Sequence, residues 1–440
     1  MAGVGAGIGR VLALGLLPVA LATGVWRLER DHPLWWPPWH RPGWRAVSAG
    51  APPPATPAAF PRLVLAVHYP WYGTPDGPTG RWRHWDHPRL QLPRGRILGY
   101  HDPRRTTAAG RQDLGATDTP AAGPYDSRDP AVIDTQLRLA RRAGLDGLAV
   151  SWWGRESPEA AALPLLFRAA RDAGLLVVPY YETGELWRRG AAGVAADLAA
   201  LLERHAAEPA WLRIDGAPVV FLYAAHRLRP AAWDAVRARL AAAGRRLYLV
   251  ADAPRPEWLD RHPGWLERFD ALHVYTPIGF LAAGRDLAAT YADLAVRARA
   301  AGRSFVPAVA PGFDDRVIRV PGTLVPRRGG ATYEATWRAA LAVAPAAILV
   351  ASWNEWHEGS EIEPSLEHGA RYLDATREWA RRFREGAPWP AGSPARYPGS
   401  AGRRAAVRRQ NRQPASPGQH AVPVGRRQLD REIAPGARLA

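Results

Sequence analysis

Eight short apolar, β-rich runs alternating with eight stretches of helical spacing predict a single (β/α)8 TIM barrel within these 440 residues. Two further observations select that fold. Four of the helical stretches stop at a glycine (Gly144, Gly174, Gly244 and Gly302), where a helix C-terminus favours a residue free to turn left-handed. The apolar runs also finish in aromatic or ionisable residues at one and the same end, as a barrel with a single functional face requires. A doubly wound open sheet is the competing α/β fold, but no Gly-x-Gly-x-x-Gly follows any of the runs in the right context.

In chain order, residues 1–26 hold Arg10, an apolar run at 11–25 and the small-x-small site Ala20-Leu21-Ala22. This reads as a secretory signal, or alternatively as an uncleaved membrane anchor with Trp26-Arg27 at the interface. On either reading the protein is exported, secreted or anchored to the outer face of the membrane. Residues 27–60 form a Pro-rich linker, stiffest at Pro52-Pro53-Pro54. The barrel then occupies 61–388. Its strands are expected at 63–69, 147–152, 175–181, 218–223, 247–251, 271–275, 304–309 and 346–352. Its helices are expected near 131–143, 159–173, 191–206, 230–243, 256–268, 285–301, 333–343 and 367–384.

The first run ends in His68-Tyr69-Pro70-Trp71-Tyr72-Gly73 and enters a long connection, Pro70 to Asp129, with little regular pattern. Its segment Gly80-Arg81-Trp82-Arg83-His84-Trp85-Asp86-His87 is too aromatic for disorder, so the connection is expected to fold over the barrel mouth as a wall or lid. The next five runs end in Ser151-Trp152-Trp153, Tyr180-Tyr181-Glu182, Tyr223 with His226 just beyond, Asp252, and Tyr275. The seventh ends in Pro311-Gly312-Phe313-Asp314, and the eighth continues into Ser352–Pro364. Residues 389–440, rich in Pro, Gly and Arg, hold too little apolar surface to fold and read as a disordered basic tail.

The net charge of +17 resembles a nucleic-acid signal, but all 58 basic residues are Arg, in a chain thick with Ala, Gly and Pro. Nine of those Arg fall in 401–440 against two acids, so compositional bias and the tail account for the excess, and no nucleic-acid partner is expected. The absence of Cys excludes disulfides, thiolate metal sites and a Cys nucleophile. His84, His87 and His101 share the long connection but lack ligand spacing, so neither metal nor other cofactor is expected. The 20 Trp and 13 Tyr fit the stacking walls of a sugar site, although most aromatics in any protein are core.

The stretch Ser352–Pro364 concentrates Glu355, Glu358, Glu361 and Glu363 with His357, Trp353 and Trp356. On a continuing strand, Glu355 and Glu358 would face opposite sides. A turn after Asn354 brings both into one cleft. Two carboxylates beside flat apolar faces are what cleavage of a glycosidic bond needs. The alternative, an acidic loop capping a helix, leaves two Trp on a mere surface loop, which is costly.

Several segments together resemble the family 99 glycoside hydrolases, the endo-α-1,2-mannosidases and mannanases. They are Tyr69-Pro70-Trp71-Tyr72-Gly73, Trp82 with His84-Trp85, Gly123-Pro124-Tyr125-Asp126-Ser127, Asn354-Glu355-Trp356-His357-Glu358-Gly359 and Ile362-Glu363-Pro364. The resemblance spans roughly 63–384 and implies a metal-independent retaining enzyme acting on α-mannan or mannose-containing oligosaccharides. It implies that Glu355 assists the 2-hydroxyl of the mannose in the −1 subsite, through a 1,2-anhydro intermediate, and that Glu358 is the general acid and then the base. The acid should be neutral at rest and its partner ionised.

By the same resemblance, Tyr69, Tyr275 and His226 line the sugar subsites, and Trp152 or Trp153 meets the −2 sugar. Trp71, Tyr72, Glu182, Asn354, Trp356 and His357 complete the expected substrate contacts. Ser360-Glu361 departs from the usual Thr-Gln, and Ser352-Trp353 from Ser/Thr-Phe. Related barrels encoded with glycan-assembly genes keep Asn-Glu-Trp but usually lack the His-Glu pair, so His357-Glu358 favours hydrolysis. The alternative is a non-hydrolytic glycan-binding or glycan-assembly barrel.

Overall fold

The computed structural model describes residues 57–182 and 186–386. The export segment, the linker up to residue 56 and the basic tail lie outside the described residues. The barrel strands are β1 (Val64–His68), β2 (Gly147–Trp152), β3 (Leu176–Glu182), β4 (Ala217–Tyr223), β5 (Tyr248–Asp252), β6 (Ala271–His273), β7 (Ser304–Val306, resuming at Ala308–Val309) and β8 (Ile348–Val350). All pair in parallel with their neighbours. Closure comes from a divided β7. Its first half pairs with β6 (Val306↔His273) and its second with β8 (Ala308↔Leu349). Pro307 sits at the break, where a residue without an N–H interrupts a ladder. Its carbonyl still accepts from Leu349 N at 3.1 Å.

Every strand is flanked on both faces, so its residues are almost all buried, and alternation sorts them into two layers. Val64, Ala66, Leu148, Val150, Val177, Val220 and Leu222 pack outward against the helices. Leu65, Val67, Ala149, Val178, Tyr180, Val219, Phe221 and Val250 fill the barrel. That parity fixes which residues reach the mouth.

The outer layer consists of α1 (Pro130–Arg142), α2 (Leu163–Ala173), α3 (Leu186–His205), α4 (Pro230–Ala242), α5 (Pro256–Arg261), α6 (Leu287–Ala300), α7 (Ala331–Leu341) and α8 (Arg371–Glu385). Local chemistry explains their limits. Asp129 caps α1 by accepting from Ala131 N at 2.9 Å, with Pro130 in the first turn. Gly144, Gly174, Gly244 and Gly302 all take φ between 65° and 71°, as the sequence predicted for helix stops. The stretch expected as one helix at 256–268 is divided. Pro263 and Gly264 (φ 77°) separate α5 from a single turn at Trp265–Arg268.

The long connection after β1 is more regular than its sequence pattern. Pro88–Gln91 and Arg96–Tyr100 form a hairpin, and Arg319–Val320, from the loop after β7, joins it as a third strand. This small sheet ties two loops together beside the barrel mouth.

Candidate active site

The chain leaves β8 and folds back on itself. Trp353 N donates to Val67 O at 2.7 Å, holding the segment against β1. Ser352 N donates to Ser360 O at 2.9 Å and Ile362 N to Ser352 O at 3.0 Å, closing the intervening loop. A single 3-10 turn, Trp356–Glu358, lies inside it, so the turn expected after Asn354 is present. Gly359 ends the turn at φ 53°, and a Cβ there would come within 2.9 Å of Thr117 Cγ2. Only glycine fits this position without displacement.

Glu355 and Glu358 are therefore both buried, 3% and 8% exposed, at the C-terminal end of the barrel. Burial first, and then the charge of Glu358, holds the Glu355 carboxyl well above the usual range. Burial also raises Glu358, but the Arg319 guanidinium opposes it, with Nη1 donating to Glu358 Oε1 at 3.0 Å and to Asp315 Oδ2 at 2.8 Å. Glu355 Oε1 is buried without a hydrogen-bond partner among the described residues. Of the two, Glu358 is the carboxylate with a cation bonded to it, and Glu355 is the one whose Oε1 lacks a partner. Sequence reasoning missed Arg319, which comes from the strand that docks on Pro88–Gln91.

Inward parity brings Tyr69, Ser151, Glu182, Tyr223, Asp252 and Tyr275 to the same end. Tyr69 and Tyr275 hydrogen-bond through their hydroxyls, and each phenol is pushed up by burial and by the charges of Glu355, Glu358 and Glu182. Glu182 Oε1 accepts from Ser151 Oγ at 2.9 Å, and burial with the charges of Glu358 and Asp252 raises it to about 8. Asp252, accepting from Ala224 N at 3.3 Å and Tyr275 N at 3.2 Å, is raised by burial to about 7. Trp71 completes the wall between Tyr69 (centroids 4.4 Å apart) and His84 (4.5 Å), and its Nε1–H is buried and unpartnered among the described residues. Orphaned donors and acceptors of this kind are what a bound polyol would satisfy.

Several expected contacts belong elsewhere. Trp152 and Trp153 necessarily face opposite sides of β2. Trp152 packs outward against Tyr181 in the helix-facing layer, so it is not a sugar contact. Trp153 is half-buried against the inner layer, its Nε1 donating to Ser151 Oγ at 3.1 Å. Asn354 is a strut. Its Oδ1 accepts from Tyr69 N at 2.7 Å, and its Nδ2 donates to Tyr69 O at 3.0 Å and Tyr125 Oη at 3.1 Å. Trp356 donates through Nε1 to Tyr125 Oη (3.0 Å) and through N to Tyr72 Oη (3.2 Å). Tyr72 in turn donates to Asn354 O at 3.1 Å and stacks on Trp85. With polar atoms and faces consumed by the protein, Tyr72, Asn354 and Trp356 support the site rather than line it.

His357 also points away from a ligand. Its Nδ1 bonds Gly115 O, its Nε2 lies 3.3 Å from His84 Nδ1, and burial holds its pKa well below the usual value. His226 lies in the turn after β4 against Trp258 of α5. Burial, then Arg227 and Arg255, depress it to about 3, and the carboxylate cluster is not among its influences.

Sequence reasoning missed a buried chain behind the site. His68 Nε2 meets Gln136 Oε1 at 3.0 Å, and Gln136 Nε2 donates to Glu363 Oε1 at 2.9 Å. Tyr125 donates to Glu363 Oε2 at 2.8 Å while accepting from Asn354 and Trp356. Glu361, the unusual acid of the motif, is paired with Arg327, which also donates to Glu361 O at 2.9 Å and Gly359 O at 3.0 Å. It fastens the loop and takes no place in the cleft.

Comparison with known proteins identifies the family and the fold. The family model described as Glycosyl hydrolase family 99 matches residues 60–384. The chain is 26% identical over 363 residues to glycoprotein endo-alpha-1,2-mannosidase of Rattus norvegicus, covering 73% of this chain and 75% of that one. The corresponding protein of Xenopus laevis is 26% identical over 357 residues, with 72% and 76% covered. In fold, the chain is similar to the GH99 endo-alpha-mannosidase from Bacteroides thetaiotaomicron, with a TM-score of 0.64 at 24% identity, over 73% of this chain and 98% of that one.

Proposed function

The chain belongs to glycosyl hydrolase family 99 and is a glycoside hydrolase, and we propose that it is an endo-acting, retaining enzyme that cleaves α-1,2-mannosidic linkages in mannan or mannose-containing glycans. The observation that carries this reading is the buried Glu355–Glu358 pair, set by one turn among aromatic side chains at the mouth of the barrel. The curated relatives named above supply the linkage.

The chemistry follows from one proton shared by two carboxylates. A glycosidic oxygen can only accept a hydrogen bond, whereas a sugar 2-hydroxyl can donate one. A mannoside with its glycosidic oxygen against Glu358 and its 2-hydroxyl against Glu355 therefore draws the proton onto Glu358. Glu355 then removes the 2-hydroxyl proton as O2 attacks C1. The C1–O bond breaks, and Glu358 delivers its proton to the departing oxygen. In the second half Glu358 takes a proton from water, which opens the 1,2-anhydro ring at C1, and O2 recovers its proton from Glu355. Two inversions give net retention, and the pair ends with one proton, as it began.

Removing a general acid costs about two to four orders of magnitude in rate. Glu358→Gln should lose disaccharide release from α-1,2-linked mannan to that degree while melting at the wild-type temperature. Turnover within threefold of wild type would exclude Glu358 from the reaction. On sequence grounds we also place the enzyme outside the cytoplasm. Cell fractionation checks this, and a wholly cytoplasmic chain would refute it.

A further inference from the structure

We propose that the long connection after β1 carries a second glycan-binding subsite, separate from the carboxylate pair, for a neutral hexose unit farther along the polysaccharide. A cavity of about 370 Å3 lies there, within the size range of small-molecule sites, about 300–1,000 Å3. Its walls include Trp82, Asp86, Tyr100, Asp102 and Arg104. Tyr100 is 54% exposed at the end of the hairpin, which leaves its ring accessible to a ligand.

The polar complement suits a sugar. The Tyr100 hydroxyl and Trp82 Nε1–H make no hydrogen bond among the described residues, and Asp86 makes no ion pair there. One cavity thus offers two aromatic faces, an indole donor, a phenol and an open carboxylate. Its formal charges cancel. Asp102 bonds Arg104 Nε at 2.8 Å and pairs with Arg105 Nε at 3.3 Å, leaving Asp86 and one Arg in balance. That balance disfavours a strongly charged ligand and favours a neutral polyol, bound by stacking and hydrogen bonds.

The floor is held before any ligand arrives. His101 Nδ1 bonds Asp113 Oδ1 at 2.7 Å and its Nε2 lies 3.1 Å from Val317 O, while Gln112 Nε2 donates to Pro103 O at 2.7 Å. Gly73 and Arg83 exchange backbone bonds of 3.0 and 3.1 Å, fixing Trp82 beside the exit of β1. The opposite side of the same loop supplies His84, which stacks on Trp71 of the active-site wall. On this proposal a long glycan leaving the mouth along this loop meets the cavity, whereas a disaccharide held by Glu355 and Glu358 leaves it empty.

This inference rests on the mannan-hydrolase reading and is tested on the full chain with Tyr100→Ala and Asp86→Asn, neither of which touches the carboxylate pair. Steady-state kinetics on α-mannan and on a short aryl mannobioside separate the two sites. Loss of one aromatic platform should raise KM for α-mannan roughly three- to tenfold, leaving kcat and both constants for the short substrate unchanged. Equal losses on both substrates, or no change on mannan, would overturn it. If the wild type cleaves no α-mannoside, the functional reading fails separately. The cavity is then judged by retardation in gels containing neutral polysaccharides: retardation of the wild type that Tyr100→Ala abolishes supports it, and any other result dismisses it.

Discussion

Arg319→Met tests the electrostatic heart of the site. Arg319 is 1% exposed and its Nη1 serves both Glu358 (3.0 Å) and Asp315 (2.8 Å). It is the cation that opposes burial in both Glu355 and Glu358. A guanidinium beside a carboxylate lowers its pKa by about 1–3 units, each unit being 1.36 kcal/mol. Its removal should make the pair hold its proton more tightly, so the alkaline limb of kcat/KM moves up by about 1–2 units. The macroscopic limb belongs to the pair, so this direction holds whichever carboxyl carries the proton.

The same change leaves Asp315 buried without its partner, a defect that costs about 3–5 kcal/mol of stability. Arg319→Met/Asp315→Asn removes that charge and should recover most of the loss. Because the Asp315 charge itself pushes Glu358 up, the double variant's limb should lie between wild type and the single variant. The assay is the pH profile of kcat/KM on α-mannan, with melting temperatures measured in parallel. An alkaline limb that stays fixed or moves down in a folded single variant refutes the reasoning.

Two further outcomes follow from the barrel interior. The Glu182 pKa is raised from 4.5 to about 8, chiefly by burial, so the unfolded chain ionises first and stability falls as pH rises from about 4.5 to about 8. Glu182→Gln keeps an acceptor for Ser151 and should flatten that fall, gaining on the order of 5 kcal/mol at pH 9 and nothing at pH 4. Parallel stability–pH curves from chemical denaturation would contradict it. Across β2, Trp152→Ala should cost about 3–5 kcal/mol of stability with little effect on a folded enzyme's KM. Trp153→Ala should do the reverse, and exchanged phenotypes would show the parity to be wrong.

The contrast between these two tryptophans shows where a sequence stops being legible. All eight strands and the glycine stops could be read because a buried parallel strand is a continuous apolar run and a helix end needs a left-handed residue. Those are local requirements. A run apolar on both faces carries no mark of which face is inside, so adjacent Trp152 and Trp153 were equivalent until Ala149 and Ser151 were seen to face inward. The Glu355–Glu358 turn was legible because its residues are contiguous. Arg319 was not, being one of the chain's Arg-only set of 58 basic residues and reaching Glu358 across 39 positions. Its placement depends on pairing with Leu90–Gln91, in a hairpin of strands too short to announce themselves. The carboxylate pair could thus be found from sequence, whereas the cation bonded to it required the fold.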